Sequence, residues 1–165
     1  MKKYLSVLVI PALVVLFFSG CIKHTDPYTQ TCNYDPCAYK VSDSEVVRVQ
    51  HYLDSAGITA TKHCSGLFYT IQNPGTGNAP VACSNVSVTY KGMFTNGQVF
   101  DSSNTAVDLS LARVIQGWAN GVPLIKEGGS ITLYIPPSLG YGPDPYRTIP
   151  GNSILIFNVG LVKVY

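Results

Sequence analysis

The sequence predicts an α+β fold: an antiparallel sheet carrying one short internal helix, preceded by a helix of its own. Three observations point there. Between Ser65 and Tyr165, apolar residues recur mostly with the period of two that strands require, broken by Gly, Pro and Asn turn residues. Within that stretch, 114–121 has room for a short helix at most. Ahead of it, Val46, Val49 and Leu53 recur at three- and four-residue spacing, which puts them on one face of a helix. The composition suits a packed domain, with 46% hydrophobic and only 12% charged residues, and 11 Tyr and 6 Phe to fill a core.

Residues 1–20 stand apart from the fold. Lys2 and Lys3 precede an apolar run from Leu5 to Phe18, shorter than the ~20 residues a spanning helix needs. The run ends in Phe18-Ser19-Gly20-Cys21, which resembles the lipobox of bacterial lipoproteins, although Phe18 stands where such boxes usually carry Leu. The expectation is a lipoprotein signal peptide over 1–20 and acylation of Cys21. The chain would then be exported and lipid-anchored to the bacterial cell envelope, facing the periplasm or the surface, since several acyl chains hold a protein at a membrane far better than one. Without Lys2 and Lys3, nine of the 11 basic side chains remain against 9 acidic ones. A neutral chain with no basic cluster argues against nucleic acid as a partner.

Four cysteines remain besides Cys21: Cys32, Cys37, Cys64 and Cys83. An even number in an exported chain predicts two disulfides, with all three connectivities open. A metal site would need closer ligand spacing. Cys32 and Cys37 are separated by four residues, no Cys-x2-Cys or His pair accompanies them, and His24, His51 and His63 show no pairing, so no metal and no cofactor are expected.

In chain order, residues 21–41 read as a tether rich in Thr, Asp, Pro and Tyr, with Asp26-Pro27 and Asp35-Pro36 as turn signals. Residues 42–64 form a helical extension. Ser42 and Glu45 have capping-box spacing, Tyr52 joins the apolar stripe less firmly, and Gly57 ends the helix. The stripe predicts a docking face rather than a dimer interface. Strands follow over 66–71, over 85–92 with Val86, Val88 and Tyr90 on one face, and over 99–101 after the Asn96-Gly97 hairpin signal. Ser130–Ile135 is a strand stopped by Pro136-Pro137, a long proline-rich loop runs from Leu139 to Gly151, and Ser153–Val164 is a strongly apolar strand.

Five motifs then fall in one order: Val88-Thr89-Tyr90-Lys91-Gly92; Gly97-Gln98-Val99-Phe100-Asp101-Ser102-Ser103; Val114-Ile115-Gln116-Gly117-Trp118; Ile135-Pro136-Pro137 with Gly140-Tyr141-Gly142; and Ile149-Pro150 with Leu155-Ile156-Phe157-Asn158-Val159. In this order and spacing, residues 65–165 resemble a whole FKBP-type peptidyl-prolyl cis/trans isomerase domain. The resemblance implies a five- or six-stranded antiparallel half-barrel wrapped on the short helix, with the substrate held between helix and sheet. It implies proline-containing polypeptides as clients and the family's macrolide inhibitors as ligands.

Such chemistry needs neither nucleophile nor proton transfer. The barrier to rotation, ~20 kcal/mol, is amide resonance, and an apolar hole with few fixed donors favours the twisted amide over the planar one. Carried over residue by residue, the resemblance implies that Trp118 floors the pocket and that Tyr90, Phe100 and Phe157 wall it. Val114 and Ile115 line one side, the Ile115 N–H meets the substrate carbonyl, Tyr141 offers its hydroxyl, and Asp101 acts electrostatically at the edge with a hydrogen bond from Tyr90. The chain departs from the family pattern at several points. Leu109 stands where many members carry a core-facing Phe, and Val107 lies near another aromatic position. The 103–109 segment is shorter, Leu139 replaces a frequent Tyr, and Gly142–Pro150 has its own sequence. These departures keep a second reading open, an FKBP-like chaperone or binding module with little turnover.

Overall fold

The computed structural model describes residues 32–165. The expected signal segment, Cys21, His24 and the expected tether up to residue 31 lie outside the described residues. Helix α1 spans Asp43–Ser55. Ser42 caps it, its hydroxyl accepting from the Glu45 N–H at 3.4 Å, but only this half of the expected capping box forms. The Glu45 carboxylate does not turn back to the Ser42 N–H and instead reaches Ser138, across 93 positions of chain. At the other end Gly57, at φ +65°, lets the chain leave the helix, and the Ile58 N–H closes on the Leu53 carbonyl.

Six strands follow: β1 Thr61–Lys62, β2 Phe68–Asn73, β3 Asn85–Phe94, β4 Val99–Ser110, β5 Ser130–Ile135 and β6 Leu155–Val164. They form one antiparallel sheet in the order β1-β2-β5-β6-β3-β4. The six-residue helix α2, Gln116–Gly121, lies against it. Gly117 and Gly121 allow that close approach, since a Cβ on either would strike the side chains of Ile135 and Leu133. The expected α+β architecture is therefore present. Two bounds differ in an instructive way. β4 runs to Ser110 rather than stopping at Asp101, because Ser102–Ser103 and Val107–Ser110, on either side of an unpaired stretch, are held by the β3 ladder. The 136–151 loop begins with a tight 3-10 turn, Pro137–Leu139.

Alternation along β5 and β6 sorts residues to the two faces of the sheet. Ile131, Leu133, Ile135, Leu155, Phe157, Val159 and Leu161 point into the main core with Trp118 and Leu111. Tyr134 and Ile156 point the opposite way, onto Val49 and Leu53 of α1 and Phe68 of β2. The apolar stripe of α1 thus docks on the sheet's rear. Val49 and Leu53, 0% and 1% exposed, each contribute on the order of 1.5–3 kcal/mol by that burial.

The disulfides pair Cys32 with Cys83 and Cys37 with Cys64. They fasten residues 32–41 to the domain, where Val41 is buried and the Tyr34 hydroxyl donates to Asn120 Oδ1 on α2 at 2.6 Å. Donor atoms of Cys37, His63 and Cys64 cluster within 4.8 Å, but both sulfurs are consumed in the disulfide. Among the described residues no helix is long and apolar enough to cross a membrane.

Candidate active site

The site grows out of two irregularities in the β3–β4 ladder. Val99 pairs with Met93 and Asp101 with Gly92, so Phe100 is the extra residue of a bulge. Farther along, Tyr90 pairs with Ser103 and Val88 with Val107, which leaves Asn104–Ala106 bulged against Thr89. The first bulge sets Phe100 and Asp101 near each other on the concave side. The second brings Val107 and Leu109 back over it. Gly92, between them, leaves room for two rings, since a Cβ there would sit 2.7–2.8 Å from Phe100 and Phe157.

The result is a hollow of about 340 Å³ between β3, β4, β6, α2 and the loop after β5. Trp118 forms its base, with the Phe157 ring set edge-on at 5.3 Å and the Tyr90 ring edge-on at 5.5 Å. Perpendicular ring packing of this kind fixes three side chains against one another and is worth ~0.5–1.5 kcal/mol per pair beyond burial. Val114 and Ile115 enter from the turn that precedes α2, with Ile115 as its N-cap residue. Leu109 and Val107 close one side, and Tyr141 stands at the mouth. Phe100 does not line the hollow. It backs the aromatic floor, edge-on to Phe157 at 5.4 Å and stacked obliquely on Phe94 at 4.9 Å.

The polar groups are few. The Tyr90 hydroxyl donates to Asp101 Oδ2 at 2.9 Å. Burial, and then that bond and the Asp101 charge, push the Tyr90 phenol up to about 12. The Tyr141 phenol is also raised, by burial first, then by Tyr146 and the Asp101 charge, with Arg147 opposing. Both hydroxyls are therefore protonated donors at neutral pH. Asp101 is itself exposed at the edge of the hollow. Nothing here resembles a nucleophile with its base or a metal-ligand set. The arrangement can enclose an apolar ring and offer hydrogen bonds to a carbonyl.

The structure thus gathers Tyr90, Asp101, Leu109, Val114, Ile115, Trp118, Tyr141 and Phe157 around one hollow and leaves Phe100 behind it. Two lining residues carried no legible signal, Arg113 and Tyr146. Tyr146 stacks face to face on Tyr141, centroids 4.8 Å apart and planes within 8°, with the Arg147 guanidinium 5.5 Å from its ring centre. Its loop sequence alternates with prolines and has no period that could mark it.

Comparison with known proteins agrees with this fold. The family model described as FKBP-type peptidyl-prolyl cis-trans isomerase matches residues 77–162. The chain is 43% identical over 106 residues to the "FKBP-type peptidyl-prolyl cis-trans isomerase FkpA" of Buchnera aphidicola from Acyrthosiphon pisum, covering 62% of this chain and 44% of that one. It is 43% identical over 103 residues to the protein of the same description from Escherichia coli K12, covering 61% and 38%. The crystal structure of FkpA from Escherichia coli superposes with a TM-score of 0.67 at 35% identity, over 73% of this chain and 59% of that one. The chain spans less than half the length of the curated relatives it matches.

Proposed function

Because the chain belongs to the family of FKBP-type peptidyl-prolyl cis-trans isomerases, we propose that it catalyses rotation about X–Pro bonds in polypeptide clients. The single observation that carries this reading is the aromatic hollow with two protonated hydroxyls and one carboxylate at its edge. The two isomers of an X–Pro bond lie close in energy, but the barrier makes their exchange take tens of seconds. The proline ring enters over Trp118, between Tyr90 and Phe157. Leaving water strips the planar, more polar amide of solvation that the twisted form needs less, so the low-polarity hollow favours the transition state over the ground state. The Ile115 N–H and the Tyr141 hydroxyl hold the carbonyl beyond the bond, and Asp101, through Tyr90, fixes the ring edge and supplies negative charge where the amide turns. Phe100 acts from behind, by setting Phe157.

The clients we propose are exported proteins, and the anchor is an acylated Cys21 at the cell envelope. Supporting this are the Ser19-Gly20-Cys21 ending of the apolar run and four cysteines that pair. Changing Cys21 to Ser should move the chain from membrane to soluble fractions, and unchanged retention would sink the anchor. The family's macrolide inhibitors would occupy the same hollow, with a looser grip where Val107 and Leu109 stand in for aromatic rings.

Those two aliphatic residues also favour the second reading, an FKBP-like chaperone or binding module with little turnover. Isomerase activity of the chain from residue 22 onward on a proline tetrapeptide separates the two. Acceleration that falls in Asp101→Ala and Phe100→Ala, with both variants folded, is the expected result. No acceleration by the well-folded native chain would make the binding module the better reading.

A further inference from the structure

Helix α1 lies outside the residues that match the isomerase family, 77–162, yet its polar side grips the loop that carries Tyr141 at both ends. At the near end, Glu45 Oε1 accepts from the Ser138 hydroxyl at 2.8 Å and from the Ser138 N–H at 3.3 Å. At the far end, Arg48 Nη2 donates to the Asn152 carbonyl at 2.9 Å. Glu45 and Arg48 are one helical turn apart and so share a side of the helix. Ser138 and Asn152 bracket everything the loop contributes to the hollow, Tyr141 and Tyr146.

Between those brackets the loop closes on itself. The Gly142 N–H reaches the Pro137 carbonyl at 2.9 Å, the Asn152 N–H reaches the Gly142 carbonyl at 3.0 Å, and Tyr146 and Ile149 exchange both backbone bonds at 2.9 Å. Residues 143–148 are otherwise exposed. The helix, by contrast, is anchored independently of its polar contacts through Val49 and Leu53. A rigid element therefore holds both ends of a loop that reaches the core only through Leu139 and Ile149 and whose 143–148 tip is exposed.

Glu45 is also in an unusual place for a capping residue. It occupies the third position of the helix, where its carboxylate could close the capping box, and it is diverted to Ser138 instead. Its second oxygen, Oε2, is buried with no hydrogen-bond partner among the described residues. Burying a carboxylate oxygen unpaired is costly, which marks the contact with Ser138 as one that the fold retains against a penalty.

We propose that Glu45 and Arg48 are positioning residues of the isomerase site: α1 clamps both ends of the 138–152 loop and so holds the Tyr141 hydroxyl and the Tyr141–Tyr146 stack at the mouth of the hollow. The proposal rests on the isomerase reading of that hollow. Holding a donor in its reactive place ahead of binding removes an ordering cost from each turnover. Loop geometry, not the floor, is what the clamp controls.

The test is backbone hydrogen exchange together with peptide isomerase kinetics on the full chain and its Glu45→Gln, Glu45→Ala and Glu45→Ala/Arg48→Ala variants. In the double variant, amides of 139–152 should exchange at least about tenfold faster while those of β5 and β6 stay protected, and kcat/KM should fall about fivefold. Glu45→Gln should stay near native on both readouts, because the amide oxygen still accepts both bonds from Ser138. A merely structural role would loosen β2, β5 and β6 together with the loop. Unchanged loop exchange in the double variant overturns the clamp. Faster exchange with kcat/KM within twofold of native overturns the positioning role. A native chain without isomerase activity would overturn the function reading instead, and loop exchange would still decide the clamp.

Discussion

The floor and the rim of the hollow are built by different means. The floor, made of Trp118, Phe157 and Tyr90, stands on the adjacent strands β3 and β6 and on a helix pressed against β5, and each ring is set edge-on or tilted against the others. The rim, made of Val107, Leu109, Tyr141 and Tyr146, stands on a bulged edge strand and a loop whose tip is exposed. Packing over-determines the floor. A handful of polar contacts and two bulges decide the rim. Within one hollow, then, the floor should resist change in geometry and fail by unfolding, while changes in the rim should alter the proposed activity without unfolding.

The largest test of that contrast is Trp118→Ala. Trp118 is 4% exposed at the centre of the ring cluster, so its loss should cost about 3–5 kcal/mol in urea unfolding and remove isomerase activity with it. A loss under ~1 kcal/mol would show that the floor is not the over-determined half. Next is the rim. Leu109→Phe restores an aromatic ring beside the hollow and should raise kcat/KM for a hydrophobic proline peptide about fivefold, with stability changing by less than ~1 kcal/mol. A large stability change there would erase the distinction.

Tyr90→Phe sits between the two regions, since it keeps the floor's ring and removes the rim's bond to Asp101. It should leave the fold intact and cost about 0.5–1 kcal/mol of stability, because the bond ends on an exposed carboxylate. Activity should fall severalfold. The smallest effect is alkaline. The Tyr90 phenol is raised from the ordinary 10 to about 12 in the folded chain. The folded state therefore binds this proton more tightly than the unfolded one. The corresponding stability is fully present below pH 10 and is lost as pH rises towards 12. Phenolate absorbance should show Tyr90 among the last tyrosines to titrate in the native chain. In Tyr90→Phe that late step should be missing, and a titration unchanged by the substitution would assign the late step elsewhere.

What could be read without coordinates follows the same division. The floor is legible through the ordered motifs that resemble the family, Val88-Thr89-Tyr90, Ile115-Gln116-Gly117-Trp118 and Leu155-Ile156-Phe157, since spacing alone would also fit plain core packing. The stripe on α1 is legible through its spacing, and it docks as that spacing predicts. Phe100 is a wall residue by the family resemblance, whereas here a bulge sets it edge-on behind Phe157. Tyr146 and Arg113 could not be read, since their place in the hollow depends on how a turn and a proline-rich loop fold back over the sheet.

By itself the sequence determined the fold class, four of the strands of the 65–165 sheet domain and the cap of α1 at Ser42, because each follows from contacts or periodicities within a few residues, while the aromatic floor follows from the resemblance and the short strand Thr61–Lys62 lies unmarked in the segment read as a helical extension. Only the tertiary structure decided which cysteines pair, where Phe100 turns and where the Glu45 carboxylate goes. Each of these depends on groups far apart in the chain, Cys32 with Cys83 and Glu45 with Ser138. Local pattern carries no record of such neighbours. The sheet order that brings them together is itself a long-range pairing of strands.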